Sequence, residues 1–112
     1  MKDKQYEIQG VKLSMGVMTL GQDKKLLELL DGKKVDFEKM TGGIQSIISH
    51  LIGEGIIEPF LHTILRGDTE ALDMDEIDNN QLKEILSDFF GLNGGWIQEL
   101  INSLAGFLKL LN

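Results

Sequence analysis

His50, Glu54, Glu58 and His62 fall four residues apart. On one continuous helix that spacing would stack two imidazoles and two carboxylates along a single stripe, a donor set suited to zinc or a similar divalent metal. The intervening residues argue against such a stripe. Gly53, Gly55 and Pro59 interrupt the helix, and all four residues stand on the polar side of their segments, so a solvated face is the favoured reading. Asp73 to Glu84 has the length of a calcium loop, with Asp73, Asp75 and Glu84 at its first, third and twelfth positions. Ile77 and Asp78 fail the fifth ligand and the turn glycine, so the match stops there. "GLNGG", residues 91–95, precedes a helical pattern but lacks the lysine and hydroxyl of a phosphate-binding loop. It reads as a joint between helices. The chain has no cysteine, and serines 14, 46, 49, 87 and 103 lie in helix or strand patterns without a nucleophile elbow. The expectation is a protein that is not an enzyme and that carries no metal or cofactor.

The elements that would position these residues follow from periodicity. A chain of 112 residues is read as a single domain, residues 1–112. "YEIQGVKLS" alternates: Tyr6 and Ile8 share one face, as do Val11, Leu13 and Met15. That is a β-hairpin over residues 5–15 turning at Gln9-Gly10. Thr19 and Gln22 have capping-box spacing ahead of a stripe formed by Leu20, Leu26, Leu27 and Leu30, with Gly32 as its stop. Ile44, Ile47, Ile48, Leu51 and Ile52 predict a second helix. Ile56, Ile57, Phe60, Leu61, Ile64 and Leu65 predict a third, with Pro59 near its first turn. The acidic "GDTEALDMDEIDNN" is a turn region, and Asp78 with Gln81 caps a fourth helix carrying Leu82, Ile85, Leu86, Phe89 and Phe90. Gly91 is the expected left-handed stop, with Leu92 folding back on Leu86. Asn93 then caps a fifth helix, residues 95–111. The fold class is therefore mainly α: a short N-terminal β-hairpin followed by a compact bundle of about five helices over residues 19–111.

That last helix carries two apolar seams. Ile97, Ile101, Leu104, Leu108 and Leu111 form one; Trp96, Leu100, Ser103, Phe107 and Leu110 form the other. A helix apolar over so wide an arc is buried or seeks a partner. Trp96, Leu100, Phe107 and Leu110 are assigned to the partner or self-association face, and the 97/101/104/108/111 seam to the core.

Charge narrows the partner. The net charge is −7. Residues 1–56 balance eight acids with eight lysines, whereas Asp68 to Asp88 hold eight acids against one lysine. Nucleic acid is an unsuitable direct partner for that surface, and a basic protein surface is its complement. No run reaches the roughly 18 apolar residues of a membrane span, and "MKDKQYEIQG" has no signal-peptide core. The expected protein is soluble and cytoplasmic, with no membrane partner.

"YEIQGVKLSMGVMTLGQ" resembles the N-termini of tail assembly chaperones of long-tailed phages and prophages. There a short strand pair leads into a comparable helix start. "DNNQLKEILSDFFGLN" followed by Trp96 resembles their C-terminal half. The resemblance implies a non-enzymatic role in the bacterial host cell: binding the tape-measure protein, keeping it soluble and helping recruit tail-tube subunits. It supplies no catalytic or metal-binding residue. The alternatives are a structural phage particle component, such as a tail or head–tail connector subunit, and a generic small helical protein-interaction module.

Overall fold

Alternation at the N-terminus produces the hairpin where the residues place it. Strands β1 (Lys4–Ile8) and β2 (Val11–Met15) pair antiparallel with Tyr6 opposite Leu13 and Ile8 opposite Val11. Gln9 and Gly10 both take positive φ, 55° and 79°, the pair of left-handed residues that a twist-matched two-residue turn requires. Glycine adopts this freely, but a glutamine there costs about 1 kcal/mol. The Gln9 side chain compensates. Its amide accepts from Asp73 N at 2.7 Å and donates to Asp73 O at 2.8 Å, tying the turn to a segment 64 residues away.

The computed structural model describes residues 3–30 and 43–111, with side chains described as far as Gly95. It is mostly helical, 64%, and the described residues form four α-helices and a short three-stranded antiparallel sheet. The third strand, β3 (Arg66–Gly67), pairs with β2 and has no counterpart in the sequence expectation. Gly67 makes the approach possible. Its φ is 123°, and a β-carbon there would lie 2.9 Å from Leu13 Cδ2 and 3.0 Å from the Lys12 carbonyl.

Helix α1 (Leu20–Leu30) opens on the capping box: Thr19 N donates to Gln22 Oε1 at 3.0 Å and Gln22 N donates to Thr19 Oγ1 at 3.3 Å. Leu26 and Leu30 are buried, but Leu20 is 70% exposed and does not belong to the stripe. It is the first helical residue and lies to one side of the i, i+4 line that the two buried leucines define. The stop assigned to Gly32 lies outside the described residues.

Helix α2 (Ile44–Gly53) and helix α3 (Ile57–Ile64) are separate, as the glycines and Pro59 demand. The joint is a Schellman stop. Gly55 takes φ 73°, its N–H donates to Ile52 O at 3.0 Å, and Ile56 N donates to Leu51 O at 3.0 Å. Leu51 and Ile56, the pair that packs across such a stop, are both buried. Pro59 falls at the third position of α3, where no intrahelical N–H is lost.

Two 3-10 turns, Thr69–Ala71 and Met74–Glu76, carry the acidic segment to helix α4 (Asn79–Leu111). Asp78 caps α4, accepting from Gln81 N at 2.8 Å. The expected stop at Gly91 and the separate helix over 95–111 are corrected here: α4 runs 33 residues without a break. Positive φ among the described glycines is confined to Gly10, Gly43, Gly55 and Gly67, so Gly91, Gly94 and Gly95 are helical. Three glycines weaken a helix by about 1 kcal/mol each relative to alanine. What overrides them is tertiary. Asn93, assigned to cap a new helix, is 2% exposed and bonded to the hairpin side of the molecule, which holds it in helical register.

One core joins all these elements. Ile8, Leu13, Met15, Leu26, Leu51, Phe60, Ile64, Leu86 and Phe89 are buried in a single cluster. Phe60 and Phe89 meet edge to face, ring centroids 5.5 Å apart at 81°. Phe89 in turn meets the half-buried Phe90 at 5.1 Å and 76°. At about 1.5 Å per residue α4 is about 50 Å long. It therefore sets the long axis of a molecule whose extents are 48, 27 and 23 Å.

Candidate functional site

The residues proposed for metal chemistry are separated by the fold. The α2–α3 joint turns the chain between Glu54 and Glu58. His50 Nε2 faces Glu54 at 3.9 Å on α2. His62 Nδ1 instead hydrogen-bonds Thr69 Oγ1 at 2.7 Å, with Glu70 at 3.9 Å. Glu58, one turn before His62 on α3, lines an apolar groove. The calcium-loop residues are also dispersed. Asp73 accepts from Asp75 N at 3.2 Å, Asp78 serves as the cap of α4, and Glu84 lies beside Tyr6. Among the described residues no group of three or more His, Asp or Glu side chains is placed to hold a metal ion.

Three polar constellations do form, and each fastens elements distant in sequence. The first is built on Asn93. Met18 N donates to its Oδ1 at 3.0 Å, and its Nδ2 donates to Gly16 O at 3.2 Å and Phe89 O at 3.3 Å. The link after β2 is thereby clamped to the middle of α4. The second is built on Arg66. Its guanidinium donates to Asp3 Oδ2 at 3.1 Å, Val17 O at 2.7 Å and Gln22 Oε1 at 3.4 Å. Gln22 continues the chain of bonds, donating to Thr63 O at 3.0 Å. In the third, Tyr6 donates to Asp88 Oδ2 at 2.7 Å. Burial, then the hydrogen bond and charge of Asp88, and then the charge of Glu84 hold the phenol above its ordinary value, so it stays a proton donor. No buried side-chain nitrogen or oxygen among the described residues lacks a partner. These bonds fasten elements together; none presents an activated nucleophile beside a base.

The surfaces offer more. One lies along α4. The buried residues Leu82, Ile85, Leu86, Phe89 and Asn93 form a single stripe on its first half. Because the helix is unbroken, its phase runs on at about 100° per residue. Positions 96, 100, 103 and 107 continue the 82, 86, 89, 93 series in steps of three and four. Trp96, Leu100 and Phe107 of the assigned partner face thus stand at positions that prolong the core stripe; their side chains and that of Leu110 lie outside those described. The other surface is an apolar groove of 390 Å³ where α2, α3, the second 3-10 turn and the start of α4 converge.

The groove escaped sequence reasoning because its lining comes from four separate elements. Ile52, assigned to the α2 stripe, is in fact 57% exposed on its rim. The signal for the Asn93 clamp was a single buried-phase polar residue between glycines, and that pattern is shared by helix caps. No helix among the described residues is long and apolar enough to cross a membrane. Comparison with protein-family models, with curated proteins and with solved structures gave no match to this chain.

Proposed function

We propose that the chain is a non-enzymatic tail assembly chaperone of a long-tailed phage or prophage. It acts in the cytoplasm of the bacterial host, binds the tape-measure protein and helps tail-tube assembly. The observation that carries this reading is α4. Its first half is fastened to the body through Phe89 and Asn93, and the same stripe then continues through positions 100 and 107 to the end of the helix. A stripe stepping by three and four is the surface on which a second helix seats. A long helical protein such as a tape measure supplies that second helix, and so does a second copy of this chain. The resemblance of residues 6–22 and 78–93 to such chaperones supports the same reading, as does the concentration of negative charge in the second half, which favours a protein over a polyanion.

Co-expression tests the proposal. Co-expressed with a candidate tape-measure protein, the chain should bring that protein into the soluble fraction and co-purify with it. A tape measure that stays insoluble contradicts the reading. Mass spectrometry of finished tails separates a chaperone, which leaves, from a structural component, which is retained.

A further inference from the structure

We propose that the groove formed by Ile52, Ile57, Leu61, Met74, Ile77 and Leu82 docks an amphipathic helix from a protein partner, with lysine or arginine side chains set over Glu58 and Asp75. The inference deepens the chaperone reading by naming a site and a partner chemistry, and it rests on that reading for the partner's being a protein.

Burial across the groove is graded. Leu61 and Leu82 form a buried floor, Ile57, Met74 and Ile77 are half-buried walls, and Ile52 stands exposed at the rim. The exposed Ile52 is continuous with a half-covered apolar trough, and a contiguous apolar patch of this kind is the sort of surface that marks an interaction site. The volume of 390 Å³ suits a few inserted side chains, being within the roughly 300–1,000 Å³ of ligand clefts. Three walls are helix ends or turns, so the matching shape is a helix laid in a groove with apolar anchors at i and i+4.

Charge selects among such helices. The two ionisable residues that line the groove, Glu58 and Asp75, are both acids and both exposed. From Gly67 to Leu82 the chain carries six acids and no lysine or arginine. The local field therefore attracts a basic flank and repels an acidic one.

The test uses the full chain and two synthetic 15-residue amphipathic peptides with identical leucine faces, one with lysines and one with glutamates on the polar face. The lysine peptide should bind, shift the amide resonances of the groove residues, and weaken as salt rises. The glutamate peptide should bind at least about tenfold more weakly. Ile52→Gln, at an exposed position, should cut lysine-peptide affinity about tenfold without unfolding the protein. Glu58→Lys with Asp75→Lys should weaken the lysine peptide and narrow the preference between peptides. Glu7→Lys with Glu84→Lys makes the same charge change beside Tyr6 and should leave the preference in place. Equal binding of both peptides, resonance shifts confined to another surface, or equal effects of the two charge-reversal pairs would each overturn the proposal. Since no tape-measure protein is involved, the groove can fail here while the co-expression result stands, and the reverse.

Discussion

Replacing Asn93 tests whether helix α4 runs unbroken through its glycines. In the unbroken helix its side chain is buried and satisfies Met18 N and Gly16 O, two main-chain groups of the link after β2. Asn93→Ala removes both bonds and leaves a buried donor and a buried acceptor without partners, at about 1–3 kcal/mol each. Alanine recovers about 0.5 kcal/mol through its better helix propensity. The expected net loss is about 2–5 kcal/mol. For a chain of this length that lowers Tm by about 4 °C per kcal/mol, so a fall of about 8–20 °C is expected. Asn93→Ser discriminates further. If Asn93 capped a separate exposed helix, serine would replace it with almost no loss, because the two residues are near-equivalent caps. As a buried clamp it cannot be replaced so, since the shorter hydroxyl does not span Met18 N and Gly16 O together. Thermal and urea unfolding followed by circular dichroism measure both variants. An Asn93→Ser protein within about 0.5 kcal/mol of wild type would refute the clamp and restore the broken helix.

Other predictions follow from the same geometry. Gly91→Ala and Gly95→Ala should each stabilise the protein by about 0.5–1 kcal/mol in thermal melts, since both positions are exposed and helical with open space around a β-carbon; a left-handed Gly91 would give a loss instead. Gly67→Ala should destabilise by about 1–3 kcal/mol in urea unfolding, because its β-carbon meets Leu13 and Lys12 and its φ is left-handed. Tyr6→Phe should cost about 1 kcal/mol by losing the bond to Asp88. The same variant should alter the alkaline limb of stability. An unfolded tyrosine ionises near its ordinary value of 10.0 while the folded Tyr6 does not, so wild-type stability falls as pH rises above that value. Tyr6→Phe should flatten that fall in melts taken across the alkaline range.

Features written in neighbouring residues were legible in the sequence. The hairpin follows from a period of two and the Gln9-Gly10 turn. The Thr19/Gln22 box and the Asp78 cap each lie within three residues. The α2–α3 break needs only Gly53, Gly55 and Pro59. What escaped depends on partners far along the chain. Asn93 finds Met18 and Gly16 at separations of 75 and 77 residues, and local glycines pointed the other way. Strand β3 is two residues long and exists because Gly67 fits against β2, so no periodicity announces it. Of the metal stripe, the sequence already held the reason for its failure in the glycines and Pro59. The groove appears only once α2, α3 and the start of α4 are brought together, and Ile52 then changes from a stripe residue to a rim residue.

The central claim is that the stripe of α4 beyond Asn93 engages a long helical partner. Co-expression of the tape-measure protein with wild type and with the Leu100→Asp, Leu110→Asp double variant tests it most directly, reading the fraction of tape measure that is soluble and bound. Wild type should solubilise and retain the tape measure, and the double variant should lose both effects while melting as a folded protein. A double variant that retains the tape measure as well as wild type does would contradict the account.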